Sequence, residues 1–308
     1  MGPTITPCKM DELEGVLRRT LEQDSSFKHV VIEGDCLVLL RCVPQMMRLV
    51  VTDPAYESLE RHRAKGTTTR LKDSDASSNV WFPIFQNVNY WSLFGLLYHT
   101  LLDNSHCYVF CDRETEHVIL SGRDPFHPPA DAILVECEKT YYGGVGRTPV
   151  RGTLDYPARF RVWPTLAWLK TIAGEHLLVT DPDYDESIDS KITTGMGYHW
   201  RRCEESVLFL EKGARGLNNR SWRSVLCGSR AKKTDYPTQK PLAVLNKLIR
   251  NSTHPDDVVL DCFAGSGVTG QAAHLAKRRS VLIDIDVTDL LRRGLVPLDQ
   301  TLVLRTEW

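Results

Sequence analysis

Asp53 and Asp261 each close a short apolar run, Arg48-Leu49-Val50-Val51-Thr52 and Val258-Val259-Leu260, and each is followed by residues suited to chemistry. After Asp261 come Cys262-Phe263-Ala264-Gly265-Ser266-Gly267, a bend with two glycines that opens a helix over Val268 to Ala276. A buried parallel strand, a glycine turn and outward-facing helix amides make a nucleotide-binding arrangement. Roughly 20 residues on, Ser280-Val281-Leu282-Ile283-Asp284 is a second strand ending in an acid, placed to accept both hydroxyls of a ribose. Gly265 to Gly270 also reads as G-x-G-x-x-G, the dinucleotide fingerprint. Asp261 weighs against that reading, because a carboxylate just before the turn repels a pyrophosphate and attracts a cationic amino-acid tail. S-adenosylmethionine has such a tail, a sulfonium and no phosphates, and is the better fit.

Asp53-Pro54-Ala55-Tyr56 supplies the second half of a reaction centre. The carboxylate and a projecting Pro54 carbonyl can each accept one hydrogen of an exocyclic amine, while the Tyr56 ring offers a stacking face for a planar heterocycle. The string recurs as Asp181-Pro182-Asp183-Tyr184, inside a stretch with five acids between Asp181 and Asp189 that would repel a nucleic acid. The first copy is therefore the functional candidate. Pro7-Cys8, a nucleophile pattern in other settings, lies in a terminal stretch and carries no assignment.

These two centres need a scaffold, and the chain is long enough to provide it. At 308 residues, 42% apolar and 25% charged, it is an ordinary globule with room for a large core. It shows no apolar run of membrane-spanning length and no charged-then-apolar leader. Its nine cysteines include no C-x-x-C pair, which implies reduced thiols and a cytoplasmic setting. Hydrophobic patterning predicts helices over Met10 to Gln23, Cys36 to Cys42, Asn89 to Leu102 and Leu242 to Asn251. Strands are predicted over Lys28 to Ile32, Arg48 to Thr52, His106 to Cys111, Leu166 to Lys170 and Glu205 to Lys212, with a loose start before the first helix. The domain plan is an N-terminal extension (1–27), a catalytic domain (28–290) and a C-terminal tail (291–308). Residues 113–160 and 213–235 are candidate recognition insertions.

Net charge is −1, yet Lys191 to Arg250 holds 13 Lys or Arg against four acids, the footprint of a phosphate-facing surface. Within it, Arg201 and Arg202 follow aromatic residues in Gly197-Tyr198-His199-Trp200, a pattern suited to an unstacked base beside its phosphates. Lys232 and Lys233 close a turn-rich basic stretch, and Arg61 and Arg63 lie in a polar loop after Tyr56 that could close over a nucleic-acid backbone. Pro241 suits the first turn of the helix it precedes, leaving Thr238 and Lys240 near that helix's positive end.

In this order the segments resemble the β-class amino methyltransferases of DNA. Gly34-Asp35 is similar to the family's G-D, Asp53 to Tyr56 to its D-P-P-Y, Trp168-Leu169-Lys170 to its W-x-K, and Gly195 to Gly213 to its G-x-G…R-x-x-H-E…K-G stretch. Pro237 to Pro241 is similar to P-T-x-K-P and Asp261 to Gly267 to D-x-F-x-G-S-G. Ala55, Cys262 and Glu204 depart from the common residues, and the usual recognition segment before Tyr236 is short. The resemblance implies an α/β, Rossmann-like, doubly wound and mostly parallel sheet with an antiparallel edge hairpin. It also implies a circularly permuted order, with the target-base motif ahead of the cofactor motif. Asp261, Phe263, Gly265, Ser266 and Gly267 would bind S-adenosylmethionine, with Asp284 on its ribose, Asp35 at its adenine, and Thr238 and Lys240 at its amino-acid end. Asp53, Pro54 and Tyr56 would hold a base flipped from double-stranded DNA, and a homodimer is a family expectation. An acid at position 53 favours adenine over cytosine. The rivals are an RNA or protein amine methyltransferase, a nicotinamide-dependent oxidoreductase and a non-catalytic DNA-binding module.

Overall fold

The computed structural model describes residues 2–57, 83–121, 134–135, 152–154, 160–163, 165–171, 204–229 and 239–307. Four strands come first: β1 (Thr4–Lys9), β2 (His29–Glu33), β3 (Met47–Thr52) and β4 (Leu101–Cys111). Six follow in the middle of the chain: β5 (Leu134–Val135), β6 (Gly152–Leu154), β7 (Phe160–Val162), β8 (Leu166–Thr171), β9 (Glu204–Lys212) and β10 (Val225–Ser229). The last are β11 (Val258–Asp261), β12 (Arg279–Asp284) and β13 (Thr301–Glu307). The helices are α1 (Leu13–Arg18), α2 (Cys36–Leu39), α3 (Tyr90–Thr100), α4 (Arg113–Ser121), α5 (Leu242–Ser252), α6 (Val268–Leu275) and α7 (Thr288–Arg293). None of the described helices is long and apolar enough to cross a membrane.

All thirteen strands belong to one α/β mixed sheet, and its path runs β1-β13-β2-β12-β11-β3-β4-β9-β7-β6-β5. From β1 to β4 every pairing is parallel. Strands in such a sheet are covered on both faces, so they read as continuous apolar runs rather than alternating ones. Val258-Val259-Leu260 and Val281-Leu282-Ile283 do so, and all six residues are buried. Successive side chains still feed different cores: Val50 and Leu260 pack on one side of the sheet, Leu49, Val51 and Val259 on the other.

The antiparallel part is larger than the expected edge hairpin. β9 pairs antiparallel with β4, β7 and β8, β7 continues antiparallel through β6 to β5, and β10 lies parallel to β8. Both chain ends also join the sheet. The expected loose start contains β1, paired along its length with β13 from the expected tail. β1 carries Pro7 and is mostly exposed, as suits an edge strand, so it lacks the apolar signal that marks the interior ones. The first helix is shorter than its pattern, ending at Arg18 and continuing as a π-helical turn over Arg19–Gln23. Strand β4 starts at Leu101, directly after α3, well before the expected His106.

Candidate active site

Parallel neighbours in a sheet end at the same edge, and β3 and β11 are neighbours, with Leu49 opposite Val259 and Val50 opposite Leu260. Their carboxyl ends therefore deliver Asp53 and Asp261 to one crevice, the usual ligand position in open α/β sheets. Thr52 fastens the two tips: its hydroxyl donates to Asp261 Oδ1 at 2.9 Å. The same oxygen accepts the Phe263 amide at 3.1 Å, which shapes the bend after β11. Burial pushes the Asp261 carboxyl up to about 7, against the pull of bonds from Thr269, the Phe263 amide and Thr52.

The glycine turn that follows is dictated by space. Gly267 has φ +81°, and a Cβ there would stand 2.9 Å from Leu290 Cγ, so only glycine fits without strain. The turn launches α6, and the Gly265 amide donates to Asp284 Oδ2 at 2.7 Å, joining the tips of β11 and β12. Burial raises the Asp284 carboxyl, and backbone amides of Gly265, Asp286 and Ile285 oppose the shift. On the other flank of β12, the Gly34 amide donates to the Asp284 carbonyl at 2.8 Å, which places Asp35 beside the same edge. Asp35 caps α2 by accepting the Leu37 amide at 2.7 Å. Asp35, Asp261, Phe263, Gly265, Ser266, Gly267 and Asp284 thus line one strand-end edge.

Asp53 stands in a closed ring of hydrogen bonds. Its Oδ1 lies 2.8 Å from the Tyr56 hydroxyl and its Oδ2 2.7 Å from Lys240 Nζ. Glu205 Oε1, from β9, completes the ring at 2.6 Å from the Tyr56 hydroxyl and 2.7 Å from Lys240 Nζ. Burial raises the Asp53 carboxyl, Lys240 pulls it down and Glu205 pushes it up again. Burial works against the Lys240 ammonium too, but Asp53 and Glu205 overbalance it and hold the group well above its usual range. Phe85 bridges the two centres: its amide donates to the Ala55 carbonyl at 2.9 Å, and its ring meets that of Phe263 edge-on at 4.9 Å.

Lys240 is placed differently from expectation, with its ammonium in the Asp53 ring. Glu205 and Phe85 were not singled out by sequence reasoning. Glu205 occupies the final position of the R-x-x-H-E resemblance, which was the available signal; Phe85 follows a stretch without any recognisable pattern. Thr238, Arg61, Arg63, Arg201, Arg202, Lys232 and Lys233 lie outside the described residues, as does the second D-P-x-Y string at 181–184. No group of His, Cys, Asp and Glu with metal-binding geometry occurs among the described residues.

Residues 162–288, which run from the end of β7 through the glycine turn to the start of α7, match the family model described as DNA methylase, of the N6/N4 type. That match covers less than half of the chain. Among curated relatives of these methylases, the type II methyltransferase M2.MboI of Moraxella bovis is 45% identical over 64 residues, 20% of this chain and 23% of that protein. The DNA adenine methyltransferase YhdJ of Escherichia coli K12 is 43% identical over 65 residues, 21% of this chain and 22% of that protein. The chain therefore spans less than a quarter of either relative's length in these matches. Among solved structures, TTHA0409 of Thermus thermophilus, a putative DNA modification methylase complexed with S-adenosyl-L-methionine, superposes with a TM-score of 0.51. That superposition covers 90% of this chain and 98% of that one at 17% identity, and shows a shared fold.

Proposed function

We propose that this chain is an S-adenosylmethionine-dependent DNA methyltransferase acting on the exocyclic amino group of a flipped adenine. The observation that carries the reading is the Thr52–Asp261 bond, which holds the Asp53 tetrad and the glycine turn in one crevice.

The turn's donor set fits a cationic nucleoside without phosphates. Asp261 and Asp284 are carboxylates where a pyrophosphate needs positive charge, and the Gly265 amide, which a phosphate would need, already serves Asp284. Asp284 keeps lone pairs for ribose hydroxyls, and Asp261 provides the negative charge that a cationic amino-acid tail requires. S-adenosylmethionine, when bound, supplies an electrophilic methyl group on a sulfonium. The same turn argues against a nicotinamide dinucleotide.

On the acceptor side, Asp53 and the Pro54 carbonyl accept the two amino hydrogens. This arrangement draws the nitrogen lone pair out of ring conjugation and aims it at the donor, a preorganised electrostatic contribution strengthened by burial. A sulfonium donor held by Asp261, Asp284 and the glycine turn would supply the methyl group to that nitrogen and would leave as a neutral thioether. Asp53 takes the proton that the alkylated nitrogen sheds. Extrusion of the base costs about a few kcal/mol, and stacking against Tyr56 offsets part of it. Asp53, rather than serine, favours adenine over cytosine by the family resemblance.

The test is tritium transfer from labelled S-adenosylmethionine with duplex DNA, RNA and protein in competition, followed by base analysis. N6-methyladenine in the DNA supports the proposal. N4-methylcytosine would correct the base, label in RNA or protein would correct the substrate, and no label in any acceptor would overturn the reading.

A further inference from the structure

Lys240 is bound more elaborately than a ligand-facing lysine needs to be. Its Nζ lies 2.7 Å from Asp53 Oδ2 and 2.7 Å from Glu205 Oε1, and the residue is only 9% exposed. Three rings close around the same ammonium: Phe110 at 5.2 Å, Trp168 at 5.8 Å and Tyr56 at 5.9 Å from their centroids. Such rings attract a desolvated cation through their negative faces. The side chain is therefore fixed, and fixed on the tetrad.

The ring it completes has a proton-counting problem. The Tyr56 hydroxyl has one hydrogen and faces two carboxylate oxygens, Asp53 Oδ1 and Glu205 Oε1. With Tyr56 neutral, the ring itself brings two carboxylates to one ammonium in a buried place. Asp261 on β11 also acts on Asp53 through space. Tyr90 on α3 is close enough to feel Asp53, and Cys111, Asp112 and Glu57 surround the same spot. Without the ammonium, the Asp53–Glu205 pair would hold two negative charges across one tyrosine hydroxyl, and such pairs take up a proton. An Asp53 that carries that proton becomes a donor and loses its use as an acceptor for an amine.

We propose that Lys240 is a positioning residue which, against the competing charge of Glu205, keeps Asp53 an ionised acceptor for the target amine. This assignment rests on the proposed methyl transfer, and it moves Lys240 from the cofactor's amino-acid end to the target-base side. Glu205 has the opposite sign of influence: it orients the ammonium and the tyrosine but raises the proton affinity of Asp53.

The two residues predict opposite displacements of one pH profile. In Lys240→Met the acid limb of kcat moves up by about one to three pH units, the range commanded by an adjacent opposite charge. Lys240→Arg stays near the wild-type profile, and Glu205→Gln moves the limb down. Glu205→Gln added to Lys240→Met brings the limb back toward the wild-type position, a rescue that a merely structural lysine would not show. Infrared difference titration reads the same event without turnover. Beyond the band that Asp261 gives in every variant, an additional protonated-carboxyl band is expected at neutral pH in Lys240→Met, lost in Asp53→Asn/Lys240→Met. If the wild type labels no DNA, the function falls while the infrared titration still judges the ring. If Lys240→Met does not fold, the downward displacement in Glu205→Gln decides. Unmoved profiles, or no carboxyl band additional to the wild type's in a folded Lys240→Met, would overturn the proposal.

Discussion

Thr52 and Asp261, on neighbouring parallel strands, are joined by a 2.9 Å hydrogen bond at the edge where both strands end. The bond holds a buried carboxylate whose proton affinity reaches about 7 because burial outweighs its hydrogen bonds. Two consequences have opposite signs. A carboxyl raised above its unfolded value binds more protons in the native state, so its contribution to stability is present at low pH and is lost as pH rises from about 4 to about 7. Cofactor capture runs the other way, since only the carboxylate attracts a cation. S-adenosylmethionine affinity is expected to climb as pH is raised toward 7 and level off above it. In Asp261→Asn the affinity is expected to be weak and flat with pH. Calorimetric titrations from pH 5.5 to 8.5 check both, and an equal slope in the variant would refute the role of Asp261.

Asp53→Ala separates the two halves of the crevice. It removes an acceptor and leaves Lys240 with Glu205, while the glycine turn and Asp284 are untouched. Methyl transfer is expected to fall by about 100-fold or more, the scale of losing a preorganised transition-state partner, with S-adenosylmethionine affinity within about twofold of wild type. Loss of both in parallel assays would show that the division of labour is wrong.

Much of this arrangement was legible in the chain because buried parallel strands advertise themselves. Val258 to Leu260 and Val281 to Ile283 are unbroken apolar, mostly β-branched runs, and an acid after each marks the edge. The partnership of Asp53 with Lys240 was not legible, because it joins the end of β3 to the approach of α5 across 187 positions and depends on Glu205 from a third element. Sequence periodicity says which face a residue occupies and nothing about which distant side chain meets it there. The same limit hid Phe85, whose ring contact with Phe263 comes from a segment with no periodic signal. It also hid β1, whose strand character comes from pairing with β13, itself seated between β1 and β2. Helix α4, Arg113–Ser121, was lost inside a stretch that offered no clear pattern as a whole.

Gly267→Ala tests the turn by sterics alone. The new methyl must adopt a left-handed backbone, worth roughly 1–2 kcal/mol, and it meets Leu290 Cγ at 2.9 Å. Thermal unfolding is expected at lower temperature, and S-adenosylmethionine affinity is expected to fall because the Gly265–Asp284 link shifts with the turn. Adding Leu290→Ala should recover part of the stability by making room for the methyl. The recovery is expected to be incomplete, since the backbone strain stays.

Acid sensitivity has its own source at the opposite end of the sheet from the crevice. His29 is fully buried at the start of β2, with Nδ1 2.9 Å from Ser280 Oγ and Nε2 3.2 Å from His274 Nδ1. Burial first, then His274 and Lys28, lower its pKa to about 3, and burial lowers that of His106 to about 4. The unfolded chain protonates both near 6.5 while the folded chain leaves them neutral, so the unfolded state binds more protons in that window. Stability should therefore decline as pH falls from 6.5, by roughly 1.4 kcal/mol per pH unit for each histidine, until each folded value is reached. His29→Gln removes one of the two titrations. Urea unfolding at pH 7.5 and pH 4.5 should show the variant losing roughly 3 kcal/mol less than wild type on acidification, whatever its stability at neutral pH. Equal acid losses in the two proteins would mean that His29 finds a proton-stabilising partner in the folded state, and the neutral Ser280–His29–His274 chain would have to be redrawn.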